Sequence, residues 1–276
     1  MGEQAKGRLI IIGGHEDKVA HRDILTEVVR DALHGGGELL IVTVATQQPK
    51  ELAQDYRKVF KKLEVEHVSV LDIRSRDDAI LEANVQKVSK AAVIFFTGGD
   101  QLRITSQIGN TPICQRLRER FQEGATIAGT SAGAAAMPET MLIAGASDSS
   151  YQIDALSMAP GLALIHDVVI DTHFAERGRM GRLLGAVAQN PRNLGLGIDE
   201  DTAVVVEGEE QFEVLGSGAV YVLDGSDITY TSLSERHPAG IVSINDIKLH
   251  VLGEHDCFNL DTRRPVRQPE EIARGE

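Results

Sequence analysis

Residues Gly129-Thr130-Ser131-Ala132-Gly133 spell G-x-S-x-G between a short apolar run and a stretch of small residues. A serine on a sharp strand-to-helix turn is pushed out at the edge of a sheet. There it can meet a base while backbone N–H groups of the turn face a developing oxyanion. The flanks allow such a turn, because residues 125–128 (Ala-Thr-Ile-Ala) read as a short buried strand and the residues after Ser131 are small. Gly129 and Gly133 leave room for tight bending and close helix packing. A Gly/Ala-rich turn with an incidental serine would match the same pattern. A base must therefore be found elsewhere, since an unactivated hydroxyl is a poor nucleophile at neutral pH.

Among the histidines, His21 and His34 fall in a helical stretch, and His67 and His250 in strand patterns. His173 instead follows the apolar run Val168-Val169-Ile170 through Asp171 and Thr172, at a strand end where the serine turn should also point. Beyond Phe174 come Arg177, Arg179 and Arg182, at the start of a helix, where the macrodipole disfavours cations. A guanidinium fork suits carboxylate binding, although a solvated basic face would carry the same residues. Asp199, Glu200 and Asp201 follow the strand-like 194–198, and one of them can reach the second nitrogen of the histidine. The order Ser, His, acid differs from the Ser, acid, His order of α/β-hydrolases, which places the elbow on a different α/β fold. The N–H of Ala132 and a donor from the Gly98-Gly99 loop are candidates for an oxyanion hole. There is no P-loop and no G-x-G-x-x-G, and His15-Glu16 does not continue into H-E-x-x-H. No cofactor and no metal is expected.

These residues need a scaffold that gathers strand ends. Strands are predicted at 9–12, 39–44, 67–71, 92–96 and 126–128, with helices over 18–34, 49–63, 77–90 and 111–123 between them. Apolar runs separated by amphipathic helices indicate a parallel sheet covered on both faces, with ligand chemistry at the carboxyl ends of its strands. Three loops are expected there: 13–17, 97–101 and 129–133. A further strand at 168–170 precedes a helix from about 179 to 189, which Asn190-Pro191 ends. From Asn193 the chain turns β-rich, with strands at 194–198, 202–206, 219–223, 229–232 and 247–252, and 262–276 reads as a polar tail. No linker or repeat divides the chain, so a single α/β domain over 1–276 is expected.

Composition fits an ordinary globular protein: 276 residues, 42% hydrophobic and 25% charged. A net charge of −13 argues against nucleic acid or an anionic membrane as partner. The apolar run at 9–12 is too short to span a bilayer and lacks a signal-peptide pattern. Cys114 and Cys257 stand far apart, which argues against a disulfide framework and for a reducing cytoplasm.

With these pieces together, the chain resembles the cyanophycinases, within the serine-peptidase family that also holds the aspartyl dipeptidases. The matching segments are Gly13-Gly14-His15-Glu16-Asp17-Lys18, Phe95-Phe96-Thr97-Gly98-Gly99-Asp100-Gln101, Gly129-Thr130-Ser131-Ala132-Gly133-Ala134, Asp171-Thr172-His173-Phe174 with the spaced arginines, and Gly197-Ile198-Asp199-Glu200. The resemblance implies a mainly parallel, flavodoxin-like or class I glutamine-amidotransferase-like α/β fold with a β-rich C-terminal extension. It implies Ser131 as nucleophile, His173 as base, Glu200 as orienting acid, and Gly99 and Ala132 as the oxyanion hole. Substrate contacts would fall on Gln101, Asp171, Thr172, Arg177, Arg179 and Arg182, with Asp171 or a nearby acid meeting a substrate guanidinium. The implied activity is exopeptidase release of β-aspartyl-arginine from cyanophycin by a cytoplasmic homodimer. Thr172 departs from the glutamine found in many members, which bears on substrate affinity rather than on the triad. Two other readings are a peptidase for small aspartyl or isoaspartyl peptides and a non-catalytic arginine-peptide binding module.

Overall fold

The computed structural model describes residues 6–144, 156–208, 210–234 and 242–266. Its first half alternates β1 (Leu9–Ile12), α1 (Asp23–Gly35), β2 (Glu38–Val42), α2 (Pro49–Lys62), β3 (Val68–Leu71), α3 (Glu82–Lys90), β4 (Ala91–Phe96), α4 (Gln101–Ile108), α5 (Pro112–Gln122) and β5 (Thr126–Thr130). Next come the short α6 (Ala132–Ala135), β6 (Thr140–Ala144), β7 (Ser157–Pro160), β8 (Val168–Thr172), α7 (Met180–Gln189) and β9 (Leu194–Ile198). The chain then runs through β10 (Thr202–Glu207), β11 (Gln211–Gly216), β12 (Val220–Asp224), β13 (Tyr230–Thr231), β14 (Ile244–Asn245), β15 (Lys248–Leu252), β16 (Cys257–Asn259) and β17 (Arg264–Val266). No described helix is long and apolar enough to cross a membrane.

One sheet carries the order β17-β16-β11-β10-β1-β5-β4-β2-β3. Its β1-β5-β4-β2-β3 half is parallel and flanked by helices, and the strands beyond β1 extend it antiparallel. Alternate residues of the central strands feed two cores. Leu9, Ile11, Ile94, Phe96 and Ile127 face one side; Ile10, Ile12, Val93, Phe95 and Ala128 face the other. A second sheet, β15-β12-β9-β8, pairs β8 and β9 in parallel. It turns Ile170, Leu196, Ile198 and Val222 into the first core and Val169 and Leu223 toward α7.

Several boundaries differ from expectation, for local reasons. Apolar spacing over 18–34 predicts one helix, but α1 starts only at Asp23. The Asp17 carboxylate accepts from the N–H groups of Val19, Ala20, His21 and Arg22, at 2.6–3.3 Å, and folds 17–22 into a turn instead. His21 therefore lies in that turn. The helix expected over 77–90 breaks at Leu81, which is extended (φ −68°, ψ 124°) between a 3₁₀ turn and α3. Helix α4, not expected, is capped by Asp100, whose side chain accepts from the Leu102 N–H at 2.8 Å. Of the stretch expected as a polar tail, Arg264–Val266 pairs with β16 as the sheet edge, and 267–276 lies outside the described residues.

Candidate active site

Strand register alone collects the candidate loops. Ile12 pairs with Thr130, so Gly13 and Ser131 leave adjacent strands at the same level. Phe96 pairs with Gly129, which brings the 97–99 loop beside them. In the second sheet Thr172 pairs with Ile198, so His173 and the 199–201 run emerge together. The two sheets are joined at this edge by the His173 N–H, which donates to the Gly13 carbonyl at 2.9 Å, while within the first sheet the Gly13 N–H donates to the Thr202 carbonyl at 2.8 Å.

Ser131 sits at φ 52°, ψ −110°, a strained conformation for a residue with a side chain. The glycines on either side permit it. A Cβ on Gly129 would meet the Gly133 backbone at 2.7 Å, and one on Gly133 would meet the Phe96 carbonyl oxygen at 2.6 Å. Ser131 Oγ lies 2.8 Å from His173 Nε2, and His173 Nδ1 lies 2.7 Å from Glu200 Oε1. Both contacts are within direct proton-transfer reach. Of the three acids, only Glu200 reaches His173. Asp199 accepts the N–H groups of Ala175 and Ala219, and Asp201 accepts the Asp17 N–H and the Ser217 hydroxyl.

Two features outside the expected set position the histidine. Its neighbour Phe174 packs over Gly197, where an added Cβ would fall 2.6 Å from the ring, and leans on Tyr221 at 5.0 Å. Gly14 (φ +110°) lies against the imidazole itself. A third feature is His15, whose Nδ1 lies 2.8 Å from the other Glu200 oxygen and whose ring meets His173 edge-on at 5.2 Å. Beneath the elbow, buried Glu16 accepts from Thr130 Oγ1 at 2.6 Å and from the Tyr56 hydroxyl at 2.5 Å. The sequence signal for these was the Gly-Gly pair itself, because a strand ending in two glycines marks a place that something approaches closely.

Burial is the largest influence on His173 and lowers its pKa from the ordinary value; the electrostatic influence of Arg177 and His15 acts the same way, and Glu200 opposes them. A lowered pKa keeps the imidazole neutral and able to accept a proton near neutrality. For Glu200, burial raises the pKa, but hydrogen bonds from His173 and His15 outweigh it and keep the group ionised.

Beside Ser131 lies a cavity of about 110 Å³, whose walls include Gly99, Gln101, Ala132, Asp171, Thr172, Arg177, Arg179 and Arg182. All the expected contact residues thus line one space. Gly98 abuts the elbow, since a Cβ there would lie 3.5 Å from Ser131 Cβ. Gln101 is held by its amide, which donates to the Leu142 carbonyl at 2.8 Å. Both oxygens of buried Asp171 are engaged: Arg182 grips them in bidentate fashion, and Arg179 Nη1 adds a bond at 2.9 Å. That pairing explains how arginines tolerate the start of α7. Arg179 Nε is buried and finds no hydrogen-bond partner among the described residues. Thr172 is buried, and Arg177 is exposed.

Residues 9–214 match peptidase family S51. A cyanophycinase of Geminocystis herdmanii is 36% identical over 269 residues, covering 96% of this chain and 98% of that protein. A cyanophycinase of Nostoc sp. is 38% identical over 264 residues, covering 95% and 88% respectively. The crystal structure of a peptidase from an acI-B1 Actinobacterium shares the fold, with a TM-score of 0.69 at 21% identity over 94% of this chain and 98% of that one. By the extent of these matches, the chain belongs to peptidase family S51.

Proposed function

We propose that this protein is a serine-type exopeptidase that hydrolyses cyanophycin to β-aspartyl-arginine. The observation that carries the reading is the continuous chain from Ser131 Oγ to His173 Nε2 and from His173 Nδ1 to Glu200, at 2.8 and 2.7 Å, opening on an arginine-walled cavity. In this mechanism Ser131 attacks the scissile carbonyl as His173 takes its proton. Glu200 holds the ring with its Nδ1 protonated and stabilises the imidazolium that forms. The N–H groups of Gly99 and Ala132 receive the oxyanion. His173 then protonates the leaving amine, and water releases the acyl group by the reverse relay.

The cavity is far smaller than the roughly 300–1,000 Å³ of a whole-ligand pocket, so it suits a terminal residue with the rest of the polymer outside. Arg177 and Arg179 both line the cavity, and their guanidinium forks suit a substrate carboxylate, with Arg177 the more exposed of the two. Because Asp171 is already neutralised by two arginines, its part is to fix them rather than to meet the substrate guanidinium. Gln101 and Thr172 shape the same wall. The family likeness extends the proposal to a homodimer acting in the cytoplasm.

Digestion of purified cyanophycin, followed by mass spectrometry, tests the reading. The expected product from the outset is the β-aspartyl-arginine dipeptide, with the polymer shortening gradually. Early release of long fragments would contradict exopeptidase action. Cleavage of short isoaspartyl peptides with the polymer untouched would shift the substrate to that class, a result that buried Thr172 and the small cavity would accommodate.

A further inference from the structure

At the solvent side of the triad, one nitrogen each from His15 and His173 and one oxygen of Glu200 lie within 4.8 Å of one another. Among the described residues no other three His, Cys, Asp or Glu side chains converge this way. Glu200 bridges the two rings, 2.8 Å from His15 Nδ1 and 2.7 Å from His173 Nδ1. The His15 side chain is 72% exposed, so ions in solution reach the group, whereas that of His173 is 4% exposed. His15 meets the triad through Glu200 and the edge of the His173 ring, but it takes up and gives no proton in the hydrolytic scheme.

Two imidazoles and a carboxylate are a donor set suited to a borderline divalent cation. Zinc takes such ligands at about 2.0–2.2 Å in a tetrahedral arrangement and leaves a fourth position for water. Ligand atoms around it stand about 3.3 Å apart. The three ligand atoms already lie within 4.8 Å of one another, and the two carboxylate contacts, made by different Glu200 oxygens at 2.8 and 2.7 Å, have to open to admit the ion. Exposed His15 sits on the loop after β1 and can make that adjustment.

We propose that His15, His173 and Glu200 form a zinc site that switches the hydrolase off. The proposal rests on the assignment of His173 as base and Glu200 as its orienting acid. Zinc on His173 Nδ1 displaces the proton from that nitrogen, and a neutral ring then carries its proton on Nε2. In that tautomer the ring cannot accept the Ser131 proton, and Glu200 is diverted to the metal. His15 ligates as the neutral imidazole.

The test is calorimetric titration of Zn²⁺ into the Ser131→Ala protein, which needs no turnover, with and without His15→Ala. One ion per chain is expected, with affinity falling more than about tenfold when His15 is lost. His15→Gln keeps a polar side chain without an imidazole and should bind as weakly as His15→Ala, which separates ligation from support of the loop. Co²⁺ should give the visible absorption of a four-coordinate site, absent in both His15 variants. In the Ser131 protein, zinc should inhibit product release reversibly, relieved by a chelator. Each His15 variant, measured against its own zinc-free rate, should need more than about tenfold more zinc. Absence of stoichiometric binding, or equal affinity without His15, would overturn the proposal. Zinc uptake by a protein that leaves cyanophycin intact would preserve the site and sink the substrate assignment; polymer cleavage without zinc uptake would do the reverse.

Discussion

Substitution of Gly14 by alanine tests the positioning of the base while leaving every triad side chain chemically unchanged. A Cβ built on Gly14 falls 2.3 Å from His173 Cε1, 2.6 Å from Nε2 and 2.9 Å from Nδ1, while ordinary contact begins at 3.4 Å. The imidazole must therefore give way by about 1 Å, since 3.4 minus 2.3 leaves that shortfall. A misplacement of that size costs roughly 10²-fold in rate, or about 2.7 kcal/mol of barrier. Stability also suffers, because φ is +110° there. Placing a side chain in that conformation costs about 1–3 kcal/mol, and overpacking adds a similar amount. At about 2–4 °C per kcal/mol, the melting temperature should fall by several degrees. The assay is kcat for dipeptide release beside thermal unfolding, with Gly36→Ala as control. Gly36 also has positive φ (+61°), but a Cβ there meets nothing within 4 Å. The control should lose some stability and keep its rate. A Gly14→Ala protein with a wild-type rate would refute the claim that this contact fixes the base.

Two further outcomes follow from the charges. Because His173 must be neutral and its pKa is lowered, the acid limb of kcat/KM should lie below the ordinary histidine value of 6.5; a limb above 6.5 in a pH–rate profile would contradict it. Asp171→Ala leaves the guanidiniums of Arg179 and Arg182 without their buried acid. Chemical denaturation should show a loss of about 3–5 kcal/mol, and an unchanged midpoint would show that the triad of charges contributes little.

The site was legible where chemistry is carried by consecutive residues. Gly129–Gly133 names a turn by itself, and β-branched runs such as 9–12 and 168–170 announce strands that end where ligands gather. Glu200 could not be separated from Asp199 and Asp201 by the residues alone. The choice depends on which carboxylates the backbone N–H groups of 17, 175 and 219 consume. His15 was hidden for a similar reason, since its contact with Glu200 spans 185 positions. Local competition misled the helix limits at Asp17, where a side chain captures the N–H groups that would have begun the helix. Strand β11 was readable in principle, because Phe212 and Val214 alternate with Glu213, but its neighbours are supplied by β10 and β16.

The most direct test of the account compares release of β-aspartyl-arginine from purified cyanophycin by the unaltered protein and by Ser131→Ala. The alanine variant should remain folded, still bind the polymer, and lose at least about 10⁴-fold in rate, the scale expected when the nucleophile of a serine triad is removed. Undiminished release by Ser131→Ala, or no release by the folded unaltered protein, would contradict the central claim.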